Sequence, residues 1–93
     1  MWHVYVLYSP LRGKTYTGFS NDIQRRLNEH NSSKSKGFTL RYRPWILIHT
    51  ESFDIKIEAM TREKFLKTGK GRGEVKLFVK DYLLRYPPQA EKD

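Results

Sequence analysis

One acidic residue stands where an apolar side chain is expected. In the segment that reads as the second helix, i+4 and i+3 steps place the buried stripe at Ile55, Ala59, position 63 and Leu66. Position 63 is a glutamate. A carboxylate inside an apolar stripe is costly unless it is paired, protonated or bound to a cation. Glu63 is therefore a candidate functional residue, and pairing with Arg62, Lys67 or another nearby cation is an equally good explanation.

A basic pair lies on the preceding predicted helix. Arg26 and His30 are four residues apart and share one helix face, beside the apolar ridge of Ile23 and Leu27. An arginine can hold a phosphate bidentately and a histidine can carry a proton, which are two requirements of phosphodiester chemistry. By spacing alone, a solvated arginine beside a surface histidine is the more common outcome. Arg25 points about 100° away and reads as surface charge.

Two tyrosines complete the set of candidate chemical groups. Tyr5 lies on the first predicted strand and Tyr16 on the second, where they could face each other across an antiparallel pair. Gly18 is on the same face as Tyr16 and would leave an open patch for a ligand backbone. The alternative is ordinary cross-strand packing of two aromatic rings.

Other motifs are excluded by their spacing. The run Gly13-Lys14-Thr15 resembles the end of a phosphate loop, but the first glycine of that motif would have to stand where Tyr8 does. The three histidines lack metal-protease spacing, and no G-x-S-x-G element supports a serine hydrolase. The glycine-rich segment 69–73 follows no strand, so it reads as a helix cap that contacts phosphate.

Composition points to a polyanionic partner. The chain has 93 residues and a net charge of +8, which favours one domain that binds nucleic acid first, with an acidic membrane or acidic substrates as weaker options. No cysteine is present, which excludes disulfides, thiolate zinc sites and cysteine nucleophiles. No apolar run approaches the roughly 20 residues of a membrane span, and the N-terminus has no signal-peptide pattern. We therefore expect no membrane association and a cytoplasmic location.

The elements that must position these residues begin with a hairpin. Residues 2–9 alternate like a strand, residues 10–14 contain turn formers, and Thr15 to Phe19 form the second strand. A helix capped by Asn21 follows, with Gln24 three residues later, and runs to about Asn31. Residues 32–43 read as a solvated basic loop without acidic residues.

The second half predicts one more strand and two helices. Residues 45–50 are nearly all apolar, as in a central strand covered on both faces. A helix capped by Asp54 then extends to about Lys67, and the last helix spans residues 74–86 before Pro87. The order β-β-α-β-α-α predicts the α+β class, with a small three-stranded antiparallel sheet flanked by three helices. Residues 1–86 would form this domain and residues 87–93 a flexible polar tail.

Two tripeptides give these elements a family resemblance. Val4-Tyr5-Val6 and Tyr16-Thr17-Gly18 stand some ten residues apart, before the helix with Arg26 and His30 and the later helix with Glu63. In this order and spacing the chain resembles the GIY-YIG nuclease domain, from Trp2 to Tyr86. It is similar in particular to small stand-alone proteins of this type, which are related to the N-terminal nuclease domain found in excinuclease.

The resemblance implies a chemistry for each candidate. The activity would be metal-dependent endonucleolytic hydrolysis of DNA phosphodiester bonds, with Glu63 as the single carboxylate ligand of Mg²⁺ or Mn²⁺. Arg26 would steady the scissile phosphate, Tyr16 or Tyr5 would help to deprotonate the attacking water, and His30 would support the network. A cation and a guanidinium stabilise charge that develops on the phosphate oxygens in the transition state. The resemblance also suggests a role in DNA repair or processing.

Basic residues are the expected phosphate contacts. They lie in the predicted loop and around the end of the second helix: Lys34, Lys36, Arg41, Arg43, Lys67, Lys70 and Arg72. The rival hypothesis is a nucleic-acid-binding module that keeps the fold but is catalytically weak or inactive. RNA stays open as a substrate, because backbone contacts do not distinguish the two sugars. A partner protein could supply targeting, although no residue identifies one.

Overall fold

The structure is a computed structural model that describes residues 1–35 and 37–88. The predicted phosphate contact Lys36 and most of the predicted tail, residues 89–93, lie outside the described residues. The elements in chain order are β1 (Trp2–Ser9), β2 (Lys14–Ser20), α1 (Ile23–Asn31), α2 (Gly37–Arg41), β3 (Ile46–Phe53), α3 (Lys56–Leu66) and α4 (Gly69–Arg85). The α+β class and the predicted order are confirmed, and α2 is an additional short helix between α1 and β3.

The sheet is antiparallel in the order β2-β1-β3, so that β1 is its central strand. Residues 4–9 of β1 are all buried. The prediction that residues 45–50 form the central strand was wrong, because β3 lies at an edge and continues into the polar segment Thr50, Glu51 and Ser52. The apolar run at residues 45–50 is therefore fully buried only at its first residue, Trp45. The strand that is covered on both faces is β1, whose side chains alternate between the two faces.

The two faces of β1 feed two separate cores. Val4 and Val6 pack against α3 and α4 through Ala59, Leu66 and Val75. On the other face of β1, Tyr5 and Leu7 pack in a second cluster. Its other members include Tyr16 of β2, Ile23 and Leu27 of α1, and Trp45. Burying apolar surface on both sides of one strand fixes its register, because a shift by one residue would exchange the two sets.

Helix α1 begins one residue later than predicted. Its N-cap is Asp22, whose Oδ1 accepts a hydrogen bond from the Arg25 amide at 3.0 Å, and not Asn21. Asp22 is itself held by the neighbouring Ser20 hydroxyl, which accepts from the Asp22 amide at 3.0 Å. The helix ends at Asn31, as predicted.

The segment predicted as a solvated loop contains the short helix α2. Its aromatic residue Phe38 packs toward Tyr42 and Trp45, with ring centroids 4.7 and 5.7 Å apart. The buried Trp45 indole donates a hydrogen bond to the Thr39 carbonyl oxygen at 2.9 Å. Aromatic burial therefore organises a sequence that composition alone describes as polar.

Helices α3 and α4 differ from their predicted starts. The N-cap of α3 is Ile55, with no side-chain cap, in place of the predicted Asp54, and Ile55 is exposed although the predicted stripe included it. Helix α4 already begins at Gly69, capped by the Thr68 hydroxyl, which accepts from the Gly71 amide at 3.1 Å. A side chain at Gly71 would overlap the Phe65 carbonyl oxygen, so glycine allows α4 to turn closely against α3. No helix among the described residues is long and apolar enough to span a membrane.

Candidate active site

Tyr5 and Gly18 are packed against each other at the centre of the site. Gly18 is the direct cross-strand partner of Tyr5, and Tyr16 is the partner of Leu7. A Cβ atom at position 18 would lie 2.5 Å from the Tyr5 hydroxyl oxygen and 2.7 Å from its ring carbon Cζ. The prediction of an open patch at Gly18 was wrong, because the Tyr5 phenol fills that space. The two tyrosines are diagonal neighbours, with ring centroids 6.3 Å apart, and do not face each other directly.

His30 joins the two tyrosines to α1. The Tyr5 hydroxyl lies 3.1 Å from His30 Nε2, and the Tyr16 ring centroid lies 4.5 Å from the imidazole centroid. Burial lowers the pKa of His30, and the nearby positive charge of Arg26 lowers it further. The imidazole is therefore neutral at neutral pH, and its Nε2 can accept a hydrogen bond from the Tyr5 hydroxyl.

The Tyr5 phenol is held in its protonated form. Only 1% of Tyr5 is exposed, and burial is the main cause that raises its pKa. A hydrogen bond with Arg26 opposes that shift in the pKa of Tyr5, and the nearby Glu63 carboxylate adds to it. The surroundings of the Tyr5 phenol thus include residues of three other elements, β2, α1 and α3.

Arg26 is partly exposed and already holds a carboxylate. Its Nη1 lies 2.6 Å from Glu29 Oε1 and Arg25 Nη1 lies 2.9 Å from Glu29 Oε2, so Glu29 is bracketed by two guanidinium groups. Both pairs follow helical spacing on α1. Spacing alone did not single out Glu29, because acid and base at i,i+3 on a surface helix is a common pattern. Arg25 is exposed, as predicted.

Glu63 is largely buried and pairs with the helix neighbour one turn later. Its side chain is 13% exposed, and its Oε2 lies 2.6 Å from Lys67 Nζ, whereas the Lys67 side chain is 53% exposed. The Glu63 carboxylate is thus largely enclosed by the protein, whereas the Lys67 side chain that pairs with it is half exposed to solvent. This is the pairing that sequence analysis named as the alternative to a functional role.

The donor set near Glu63 fits a weakly held, hard divalent cation. No group of three or more His, Asp or Glu side chains that could hold a metal ion occurs among residues 1–35 and 37–88. A lone carboxylate suits Mg²⁺, which keeps several of its own waters and is bound through one or two carboxylates together with substrate phosphate. The half-exposed Lys67 ammonium can leave for solvent when a cation takes its place, because the incoming ion then neutralises the Glu63 carboxylate. The residues present therefore fit such an ion at Glu63.

Tyr16 lines two surface cavities. The first, of about 580 Å³, lies between α1 and α2 and is lined by Tyr16, Arg26, His30, Lys34 and Phe38 among others. The second, of about 690 Å³, lies between β2 and α4 and is lined by Tyr16 and by four basic side chains: Lys14, Lys67, Arg72 and Lys76. Glu29, the partner of Arg26, also lines the first cavity, so the second cavity is the more basic of the two, and Tyr16 is accessible where Tyr5 is not.

The predicted phosphate contacts are distributed unevenly around these cavities. Lys34, Lys67 and Arg72 line one or the other, and Arg41 and Lys70 are exposed elsewhere on the surface. Arg43 donates hydrogen bonds to the Leu40 and Asn31 carbonyl oxygens, at 3.3 and 3.4 Å.

Lys14 and Lys76 line the second cavity but were missed by sequence analysis. Lys76 stands one helical turn after Arg72, and this i+4 spacing was the available signal. Lys14 stands in what was read as a hairpin turn, and only the tertiary fold brings it beside α4.

Two tyrosines, an arginine and a histidine thus come together where the sheet of this α+β domain meets its first helix. Sequence comparison specifies the class, since residues 1–76 match the family model of the GIY-YIG catalytic domain. The chain belongs to the GIY-YIG family, whose members are typically nucleases.

Small proteins designated UPF0213 are among its relatives. A UPF0213 protein of Halobacterium salinarum is 48% identical over 67 residues, covering 72% of this chain and 86% of that protein. One from Staphylococcus saprophyticus is 38% identical over 65 residues, covering 70% and 79%. The solution NMR structure of a UPF0213 protein from Bacillus halodurans superimposes with a TM-score of 0.53 at 28% identity, covering 96% of this chain and all of that one.

Proposed function

We propose that this chain is a divalent-metal-dependent endonuclease that hydrolyses DNA phosphodiester bonds. The observation that carries the proposal is the hydrogen-bonded pair of Tyr5 and His30 packed against Tyr16, which lines one cavity together with Arg26 and another together with four basic residues. Together with Glu63, these side chains provide groups for proton transfer, for phosphate binding and for holding a cation. A role in DNA repair or processing and a cytoplasmic location belong to the same proposal.

Arg26 is the phosphate-binding group in this mechanism. Its guanidinium already binds an oxyanion, the Glu29 carboxylate, in the absence of substrate. A phosphodiester presents the same kind of acceptor and can replace Glu29 as the partner of Arg26. Because negative charge grows on the phosphate oxygens during hydrolysis, a guanidinium at that position stabilises the transition state more than the ground state.

Tyr16 is the phenol that can reach the attacking water. It lines both cavities, whereas Tyr5 is buried beneath it. Tyr5 and the neutral His30 form a hydrogen-bonded pair behind Tyr16 and hold its surroundings in place. In this division of roles Tyr16 contacts the reacting water, and Tyr5 and His30 are positioning residues.

Glu63 would hold the metal, with Lys67 released to the second cavity. When bound, a divalent cation there would neutralise charge on the phosphate and on the leaving oxygen. Lys67 would then join the basic side chains that line that cavity and contact the phosphates on either side of the cleaved bond.

The alternative is a binding module without cleavage, and two ion pairs favour it. Glu63 and Arg26 both have counterions within 2.6 Å, so both candidate catalytic charges are neutralised within the chain. If these pairs persist on nucleic acid, the basic surface binds phosphate and no cation reaches Glu63. RNA is a further candidate ligand for either activity.

The test of the proposal is the Glu63→Gln variant. We expect wild-type protein to nick supercoiled plasmid with added Mg²⁺ and not with EDTA, and Glu63→Gln to lose nicking by at least about 100-fold, the scale of a lost electrostatic contribution to catalysis. Retention on DNA should stay near wild type, because an amide keeps the side-chain volume and removes only the charge. Glu58→Gln is the matched control, since Glu58 is exposed on the same helix.

Three outcomes would contradict it. Wild-type protein that binds but never nicks would support the binding module. Nicking that survives in EDTA would remove the metal from the mechanism. Equal activity of Glu63→Gln and Glu58→Gln would remove Glu63 from the site.

A further inference from the structure

An exposed aromatic ring lies in the same cavity as the candidate catalytic groups. Phe38 of α2 is 46% exposed, and it lines the cavity that also contains Tyr16, Arg26 and Lys34. An exposed phenylalanine needs no explanation when it stands alone on a polar surface. Here the ring shares a concave site with Lys34 and with the Arg26 guanidinium, now paired with Glu29, that the proposed function assigns to the phosphate.

Phe38 is held in place by other aromatic residues. Its ring centroid lies 4.7 Å from that of Tyr42 and 5.7 Å from that of Trp45, at an angle of 31° to the indole plane. Trp45 is buried and anchored through its hydrogen bond to the Thr39 carbonyl oxygen. A platform fixed in this way loses little conformational entropy when a further ring stacks on it.

We propose that Phe38 is a stacking site for an unpaired nucleobase next to the cleaved phosphate. A basic groove combined with an exposed aromatic ring is the arrangement by which proteins bind single-stranded nucleic acid. A paired base is stacked on both sides and unavailable, so the ligand is a single strand or a junction with an unpaired nucleotide. The inference rests on the proposed function only for the position of the phosphate chain.

The experiment measures stacking without cleavage. An oligonucleotide that carries one 2-aminopurine is presented as a single strand, as an unpaired nucleotide in a duplex, and as a fully paired duplex, all in EDTA. Fluorescence of 2-aminopurine reports stacking and polarisation of an end label reports affinity. A failed nuclease assay therefore leaves this result intact.

Four proteins are compared: wild type, Phe38→Leu, Phe38→Trp and Tyr86→Leu. Leucine keeps an apolar side chain against Trp45 and removes the π face, and tryptophan restores a π face. Tyr86 is the control, because it is 64% exposed and follows the end of α4, outside the residues that line this cavity. Circular dichroism establishes that each variant is folded.

We expect wild-type protein and Phe38→Trp to change the fluorescence of the unpaired base. Phe38→Leu should lose that change and bind the single strand about tenfold more weakly, which is the scale of one base–aromatic stack. Binding of the paired duplex should change less than about twofold, and Tyr86→Leu should match wild type. Equal weakening of single strand and duplex by Phe38→Leu would overturn the inference, and so would an unchanged fluorescence response.

Discussion

Glu63 and Lys67 form the pair on which the proposed chemistry depends. The carboxylate is largely buried and the ammonium is half exposed, so in the proposed function a cation from solution would compete with Lys67 for Glu63. A salt bridge of this form is therefore compatible with a cation site, provided that Lys67 and the metal exclude each other.

That exclusion makes a prediction for Lys67→Met. Removing a positive charge next to Glu63 should strengthen Mn²⁺ binding by about threefold to tenfold, because a like charge a few ångströms away no longer opposes the ion. Isothermal titration calorimetry without nucleic acid measures the affinity. Lys64→Met, an exposed lysine on the same helix, should leave it unchanged. Weaker or equal Mn²⁺ binding by Lys67→Met would show that the pair has only a structural role.

Sequence analysis could name candidate site residues from their types and local spacing. Glu63 interrupts an apolar stripe, and Arg26 and His30 share a helix face. It could not find Phe38 or Lys14, because their importance depends on the tertiary placement of α2 and of the hairpin. It also misjudged Gly18, because the register of the two strands could not be read from the sequence. The register decides which residue lies opposite Tyr5, and therefore whether the Tyr5 ring fills the space at Gly18.

At the scale of elements, a charged network ties β3 to α3 and α4. Arg62 on α3 contacts both carboxylate oxygens of Glu51 on β3, at 2.8 and 3.0 Å, and Glu74 on α4 at 2.7 Å. His49 lies 2.8 Å from Glu51 and stacks on Phe78, with centroids 3.7 Å apart. The network lies beside the core of α3 and α4 and does not include the candidate active site.

This network should make stability depend on acid. Hydrogen bonds from Arg62 are the main cause that lowers the pKa of Glu51 from its ordinary value of 4.5. A carboxyl with a lowered pKa stabilises the folded state above pH 4.5, and that stabilisation is lost as the pH falls through the folded pKa. Arg62→Met should cost about 1 to 2 kcal/mol at about pH 7, because two carboxylates lose their partner.

Urea unfolding between about pH 7 and pH 3 measures the effect. The difference between wild type and Arg62→Met should shrink as the pH falls below 4.5, and it should be lost once the pH has passed through the lowered folded pKa, where Glu51 is protonated in both. Arg85→Met removes an exposed pair with Asp81 and should change stability by less than about 0.5 kcal/mol. A difference that stays constant from neutral to acid pH would assign the cost to lost packing of Arg62.

Element existence could be read from the sequence more reliably than element position. Alternation in β1 and helical spacing in α4 predict their types directly. Helix α4 was predicted to start at position 74, because glycines at positions 69, 71 and 73 disfavour a helix locally. In the structure that position lies well inside the helix, which begins at Gly69. The tertiary contact at Gly71 reverses that preference, since only glycine fits against the Phe65 carbonyl.

At the scale of the whole molecule, the net charge of +8 should govern binding through the two cavities beside Tyr16. Each phosphate contact releases condensed counterions, so affinity falls with salt in proportion to the number of contacts. Lys14→Gln and Lys76→Gln should each reduce the slope of log affinity against log salt by about 0.7, the value for one contact to a single strand.

Fluorescence polarisation with a labelled single strand, titrated from about 50 to 200 mM salt, gives that slope. Lys56→Gln is the control, because its ammonium lies over the Trp2 ring at 5.0 Å and outside both cavities. If all three variants change the slope equally, binding would be spread over the whole surface and the cavities would have no special part in it.

The contact between Tyr5 and Gly18 has a consequence for how this sequence can change over time. The phenol occupies the volume that any side chain at position 18 would need, so the two motifs act as one packing unit. A larger residue at position 18 is tolerable only together with a smaller one at position 5. We therefore expect positions 5 and 18 to covary among related sequences, so that the two tripeptides that contain them are inherited together.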